Sequence, residues 1–253
     1  KTVISLVNPR LRPLSWKLVT LIKPDLILNQ SDEIERLCNN MGIKTHFLPN
    51  GVDVSKFVPV TSEDKIALRE KYGIDKSKFV ILHVGHLTKD RGLLPLCQLN
   101  SLDSQVLIIG SSYFRTDRDV ADTLSRSGCL VWQDYFKNIW EIYQLADCYV
   151  FPTAKNKTIL QPLSILEAMS CNLPVVSTKL DGLSQIYQGV KGLFYMDKIS
   201  ELGSAIEKAK NCISVETRQA VLPYTWENIV ARLEKIYRAS KEGLEEASNL
   251  QGR

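Results

Sequence analysis

Residues 79–92 read FVILHVGHLTKDRG, and this stretch decides the fold. Six residues of almost unbroken apolar character, rich in β-branched side chains, run straight into a glycine. A polar loop with two lysine or arginine side chains and a second glycine follows. A near-continuous apolar strand is one buried on both faces, as in a parallel sheet covered by helices. Working outward, the same unit recurs. Strands are expected at 25–29, 45–48, 79–84, 105–109, 129–132, 147–151, 174–177 and 192–195. Helical stretches are expected between them, at 31–40, 63–72, 92–99, 117–127, 137–146, 161–171 and 182–188. This βαβα rhythm predicts an α/β fold, a doubly wound parallel sheet with helices on both faces. From 197 to 247 no strand is expected. Thr225 is placed to cap a long C-terminal helix in which Ile229, Leu233, Ile236 and Tyr237 fall at helical spacing. Pro59 and the Thr61-Ser62 pair break the pattern near 54–62 and mark a domain boundary.

Composition is that of a globular chain with enough length for a real core: 253 residues, 44% hydrophobic and 24% charged. The net charge of +4 is local. Residues 1–24 hold Lys1, Arg10, Arg12, Lys17 and Lys23 and no acid, interleaved with Leu11, Leu14, Trp16, Leu18, Val19, Leu21 and Ile22. Such a segment either lies on an anionic membrane surface or covers a sheet with its lysines solvated. Nothing points to nucleic acid, because no second basic patch interleaved with aromatics follows. No apolar run is long enough to span a bilayer and no signal peptide is visible. The six cysteines, Cys38, Cys97, Cys129, Cys148, Cys171 and Cys212, show no CxxC pair and no zinc spacing, so reduced thiols in a cytoplasmic protein are expected. Asn29 and Asn156 begin N-x-S/T triplets, which matter only in a secreted protein. The chain begins with Lys rather than Met, so a fragment or processed product is expected.

In a doubly wound sheet, ligands bind beyond the carboxyl ends of the strands. After strand 79–84, Gly85 permits close backbone approach, and His86 and Arg91 can face an anion at the helix that Gly92 opens. After strand 147–151, Pro162 suits a first helical turn, and Glu167 sits among Leu163, Leu166 and Met169, where a carboxylate needs partners. Asp117-Arg118-Asp119 has the form of a D-x-D metal site, but it falls at a helix start and no other hard ligands join it. No metal is expected. No Walker loop and no G-x-G-x-x-G occurs. Asn50-Gly51-Val52-Asp53 is a turn signal.

Six segments in the same order resemble the retaining glycosyltransferases of family four, the glycogen-synthase-like group with the GT-B fold. They are LPNGVDVSKF (48–57), ILHVGHLTKDRG (81–92), QVLIIGS (105–111), YQLADCYVFPT (143–153), PLSILEAMSCNLPVVST (162–178) and YTWENIVARLEKIY (224–237). The resemblance implies a Rossmann-like C-terminal domain of the GT-B type that holds a nucleotide sugar at 57–223. It implies a remnant of the acceptor-side domain at 1–56, and a C-terminal helix with a frayed tail at 224–253. It implies a hexosyltransferase that moves a sugar from a UDP-, GDP- or ADP-sugar to an acceptor with retention of configuration, in polysaccharide or glycolipid biosynthesis. Neither cofactor nor metal is implied; cationic side chains and a helix N-terminus stabilise the departing diphosphate. The acceptor is unspecified. By position, Arg91 takes the place of the family's lysine and His86 that of its arginine, as catalytic groups. Gly85, His86, Arg91, Gly110, Leu163, Ser164 and Glu167 would bind the donor, Glu167 through ribose hydroxyls.

Three departures from the family pattern stand out. Ile159 replaces a glutamate that helps orient the donor sugar, and Leu160-Gln161-Pro162 replaces G-F-G. Asp181-Gly182-Leu183-Ser184-Gln185 replaces G-G-x-x-E. A non-catalytic, regulatory nucleotide-sugar-binding protein on a degenerate scaffold is therefore the alternative. An epimerase or phosphorylase lacks support for want of a pyridoxal-type lysine context, and NAD chemistry for want of the glycine fingerprint. The chain alone is expected to be inactive, and the full-length protein cytoplasmic, with peripheral membrane contact through residues 1–24.

Overall fold

The computed structural model describes residues 2–5, 13–111, 116–153 and 160–250. The chain divides into two compact units. One comprises the described residues up to Gly51 together with those from Pro223 onward; the other is Val52–Leu222.

The first unit carries a parallel three-stranded sheet of β1 (Val3–Ser5), β2 (Leu26–Asn29) and β3 (Thr45–Phe47), in that order. Helices α1 (Pro13–Ile22) and α2 (Asp32–Asn40) make the crossovers. Ser31 caps α2 by accepting the Glu33 N–H at 3.1 Å, and Asp32, Glu33 and Glu35 suit the positive end of its dipole. Asn29 is fully buried, its Oδ1 accepting the Ser31 N–H at 3.1 Å, so its N-x-S triplet is no glycosylation acceptor in the folded chain. Asn156 lies outside the described residues.

The second unit is built on six parallel strands: β4 (Phe79–Gly85), β5 (Ser104–Gly110), β6 (Leu130–Trp132), β7 (Cys148–Phe151), β8 (Val175–Thr178) and β9 (Leu193–Met196). Their order is β6-β5-β4-β7-β8-β9, so the chain direction across the sheet reverses between β4 and β7. Between and around them run α3 (Ser62–Lys71), α4 (Arg118–Arg126), α5 (Ile139–Gln144), α6 (Leu163–Ser170), α7 (Asp181–Ser184), α8 (Leu202–Lys210) and α9 (Thr217–Val221). Val80, Ile81, Leu82 and His83 in β4 are fully buried, as a central strand covered on both faces requires. On one face Ile81, Ile108, Val150 and Val176 pack with Leu124 of α4 and Ile206 of α8. The expected α/β doubly wound sheet is therefore the fold, and each expected strand is present to within a residue.

Three local features differ from expectation. The helix expected at 92–99 is instead two 3-10 stretches, Lys89–Arg91 and Leu94–Leu99, parted by Gly92 at φ 63. Pro95 removes an N–H there, and Leu93 and Leu96, both buried, meet the core at the three-residue period of a 3-10 turn. Gly92 therefore ends a turn rather than opening a helix. Helices α8 and α9 fill part of the segment for which only the absence of strands was predicted. After α6, Asn172 takes the left-handed conformation (φ 56), which asparagine tolerates.

The long helix α10 (Trp226–Leu250) belongs to the first unit. Thr225 caps it, accepting the Asn228 N–H at 3.2 Å. A Cβ on Gly51 would come within 2.7 Å of the Trp226 ring, so the N-G of the linker and the tryptophan that opens α10 fit one another. Asp53 forms an Asx turn with Ser55 and Lys56, and these hydrogen bonds, that from the Ser55 hydroxyl foremost, hold its carboxyl down at about 2.

Candidate functional site

At the carboxyl ends of β4 and β7, where the sheet order reverses, lies a recess of about 210 Å³. Its β4 side is His83, Val84, Gly85 and His86, followed by Arg91 from the 3-10 turn. Its other side is Phe151 at the end of β7 and Pro162, Leu163 and Ser164 at the start of α6. Five of the residues expected to bind the donor, Gly85, His86, Arg91, Leu163 and Ser164, are thus brought together. Two are not. Gly110 pairs with Gly85 across the ladder, and a Cβ there would come within 2.6 Å of Leu87 Cδ1. Its lack of a side chain accommodates packing rather than lining the recess. Glu167 sits three residues into α6 from Ser164, and its Oε2 accepts the Tyr143 hydroxyl at 2.6 Å. Burial raises the Glu167 pKa, and the Tyr143 hydrogen bond opposes that. Ile159 lies outside the described residues.

Arg91 is held in place from behind. Asp117, at the N-cap of α4, accepts the Lys89 N–H on Oδ2 at 2.8 Å, and its own N–H donates to the Leu87 carbonyl at 2.8 Å. Asp119 lies 3.6 Å from Lys89. The Asp117-Arg118-Asp119 triplet is thus a brace on the turn that carries Arg91. Among the described residues no group of three or more His, Cys, Asp or Glu is placed to hold a metal.

The other side is fixed by the N-terminus of α6. Pro162 is its N-cap and supplies no side-chain cap, and Leu163 and Ser164 of its first turn line the recess. Tyr149 sits beneath, its hydroxyl 2.8 Å from Ser164 Oγ and 3.2 Å from the Val84 carbonyl. Burial pushes that phenol up, so it stays protonated. Through these two contacts the Tyr149 hydroxyl ties α6 to β4. Aromatic rings continue the layer: His83 stacks on Tyr149 at 6.4 Å and Tyr149 on Tyr143 at 5.9 Å, with Phe57 edge-on to Tyr143 at 5.4 Å.

The electrostatics of the recess are set by burial. His86 is held below its ordinary pKa, by burial first and the Arg91 charge second. It is therefore a neutral hydrogen-bonding group near pH 7, beside a guanidinium that remains charged. His83 is pushed down to about 4, chiefly by burial and further by Arg91, against the Val150 carbonyl, which favours the charged form. His83 was not anticipated from the sequence. The available signal was a lone polar side chain inside an otherwise apolar strand, two residues before the strand-ending glycine.

The sequence pattern of the glycosyl transferases group 1 family matches residues 78–211, just over half of the chain and all six strands of the larger sheet. Among curated relatives, a GDP-mannose-dependent monoacylated alpha-(1-6)-phosphatidylinositol monomannoside mannosyltransferase of Corynebacterium glutamicum is 31% identical over 174 residues. That match covers 61% of this chain and 45% of the relative. The UDP-Gal:alpha-D-GlcNAc-diphosphoundecaprenol alpha-1,3-galactosyltransferase of Escherichia coli is 27% identical over 221 residues, 77% of this chain and 53% of the relative. The chain thus spans about half the length of the curated relatives it matches. Among solved structures, HepE of Anabaena in complex with UDP-glucose superposes with a TM-score of 0.76 at 18% identity, covering 94% of this chain and 72% of that one. Sucrose-phosphate synthase of Thermosynechococcus elongatus gives 0.75 at 18% identity, covering 92% and 63%. These superpositions show a shared fold. The sequence match, laid on the sheet whose carboxyl edge forms the recess, shows that the chain belongs to the glycosyl transferases group 1 family.

Proposed function

We propose that the whole protein transfers a hexosyl group from a nucleoside-diphosphate sugar to an acceptor with retention of configuration, and that this chain holds the donor. One observation carries the reading: Arg91 and the N-terminus of α6, which has no side-chain cap, line one recess at the point where the sheet order reverses. Both elements favour negative charge, and a diphosphate leaving group develops it as the glycosidic bond breaks. Neither requires a metal or a cofactor. Neutral His86 adds a hydrogen bond rather than a second positive charge, and Pro162 contributes no N–H, so Arg91 is the principal cation. Glu167 lies outside the recess with one oxygen held by Tyr143, and ribose hydroxyls would donate to the other.

Donor base and sugar are open among UDP-, GDP- and ADP-sugars; the Anabaena neighbour is a complex with UDP-glucose and the Corynebacterium relative is named for GDP-mannose. Curated relatives named for phosphatidylinositol mannoside, diacylglycerol and diphosphoundecaprenol substrates favour a lipid-linked acceptor for this protein too. Helix α1 exposes Leu18, Leu21 and Ile22 beside Lys17 and Lys23, a face suited to an anionic cytoplasmic membrane surface. No helix among the described residues is long and apolar enough to cross a membrane. The test is a transfer assay on the full-length protein with each donor and a lipid acceptor, the product's anomeric configuration read by NMR. A retained α-linkage is expected. Donor binding without any transfer would favour the non-catalytic alternative, and an inverted product would remove the retaining mechanism.

A further inference from the structure

His83 occupies a position that structural packing alone leaves incomplete. It lies in the middle of the sheet on β4, with no exposure to solvent. Its Nδ1 is 2.9 Å from the Val150 carbonyl oxygen on β7. A carbonyl oxygen only accepts, so Nδ1 carries the proton, and in the neutral ring Nε2 is then a bare lone pair. The ring stays neutral because it is buried and lies near the Arg91 charge. Nε2 is buried, with no hydrogen-bond partner among the described residues. A buried acceptor left without a donor is costly, and native structures keep few of them without a reason.

Geometry says where that lone pair lies. Nδ1 is turned toward β7, so Nε2 is turned away from it, along the face that His83 shares with Gly85 two residues on. A Cβ on Gly85 would stand 2.9 Å from Nε2. Only glycine leaves that space open, and both Gly85 and His83 line the recess. Any side chain at position 85 would close the imidazole off.

We propose that Nε2 of His83 accepts a hydrogen bond from a hydroxyl of the donor's hexosyl group. This rests on the reading of the recess as a nucleotide-sugar site. The chemistry of the lone pair selects the partner. Phosphate oxygens near neutral pH carry no proton to offer and would be repelled by it, so the diphosphate belongs with Arg91 and the N-terminus of α6. The hexose is the ring of the donor with the most free hydroxyls. His83 thereby becomes a sugar-binding residue beneath a diphosphate site, and a determinant of which hydroxyl pattern the enzyme accepts. Donors lacking that hydroxyl would leave the acceptor unpaired, which is how a buried polar group discriminates.

The test compares this chain with His83→Phe, which keeps a ring against Tyr149 and Phe151, and His83→Gln, which returns an acceptor close to Nε2. Dissociation constants are measured for UDP and UDP-glucose, GDP and GDP-mannose, and ADP and ADP-glucose, with thermal melting as the control for folding. For the pair that the unaltered chain binds, His83→Phe should weaken the nucleotide sugar about tenfold while leaving the nucleoside diphosphate within about twofold, and His83→Gln should recover most of the loss. Equal weakening of both ligands would put the contact on the nucleotide and overturn the proposal, as would unchanged sugar binding in a folded His83→Phe. Should His83→Phe not fold, a panel of monodeoxy donors on the unaltered chain decides: one position must lose about tenfold, and a flat panel overturns the assignment. Failure of both this chain and the full-length protein to bind any of the six ligands would instead bring down the nucleotide-sugar reading of the recess, and the proposal with it.

Discussion

The two edges of the six-stranded sheet treat buried polar groups in opposite ways. At the amino edge, Asp147, immediately before β7, is saturated. It accepts the Val80 N–H at 2.8 Å, pairs with Lys65 at 3.1 Å and with the buried Arg69, whose Nε also donates to the Leu145 carbonyl at 3.0 Å. At the carboxyl edge, in the same two strands, the His83 lone pair is unpaired among the described residues and the α6 N-terminus carries no side-chain cap. The same cost of burying polarity is met by the chain itself at one edge and left for a ligand at the other. Within one motif, Asp147 thus serves stability while Phe151 lines the recess.

This contrast can be broken by substitution at either edge. The largest effect is expected from Asp147→Asn, which leaves Arg69 buried without its counter-charge: about 3 kcal/mol of stability lost in a denaturant melt, with ligand affinity per folded molecule unchanged. An equal loss of affinity would show that the edges are not separable. Next is a pH effect. His83 has a folded pKa of about 4 against an ordinary 6.5, so the unfolded chain takes up its proton first as pH falls. The stability it contributes is complete above about pH 6.5 and is lost progressively down to about pH 4, where about 3 kcal/mol has gone. Unfolding curves at pH 7 and pH 4 should therefore converge in His83→Phe relative to the unaltered chain. A pH response identical in both would contradict a buried neutral imidazole.

At the carboxyl edge, Arg91→Ala should weaken nucleoside-diphosphate binding about 30-fold, about 2 kcal/mol, while changing the melting temperature little. Calorimetric titration measures the first and a melt the second. The smallest expected effect is that of Asp117→Ala. It removes the acceptor of the Lys89 N–H and loosens the turn beneath Arg91, so about fivefold weaker binding is expected, from about 1 kcal/mol of lost hydrogen bonding. A loss as large as that of Arg91→Ala would mean that Asp117 acts on the ligand directly.

The fold was legible because its strands are covered on both faces, and sequences such as FVILHV and DCYVF carry that condition openly. The segment 92–99 misled because its leucines fit either helical period and only Pro95 favoured the 3-10 form. Helix α8 was legible in principle: Leu202, Ala205, Ile206 and Ala209 are buried at helical spacing, but small alanines give a weak apolar signal. At the recess, Gly85, His86 and Arg91 could be located because they follow a strand, where chain position predicts exposure to a ligand, whereas Leu163 and Ser164 were implied by the family resemblance. His83 could not, since side-chain direction within a strand and the proton on one ring nitrogen are set by Val150 on a strand 67 residues away. Glu167 illustrates the converse. Its type and helix were evident, yet its engagement with Tyr143 depends on the packing of α5 against α6.

The central claim is that the carboxyl edge is a nucleoside-diphosphate-sugar site, and a thermal-shift screen of this chain against UDP, GDP, ADP and their sugar conjugates tests it most directly. A ligand that binds only the folded state at about 100 times its dissociation constant adds about 2.7 kcal/mol, a rise of roughly 5–10 °C for a chain of this size. The account predicts such a rise with one of the three bases, and its loss in Arg91→Ala. Shifts that persist undiminished in Arg91→Ala, or none with any base at millimolar ligand on both this chain and the full-length protein, would contradict it.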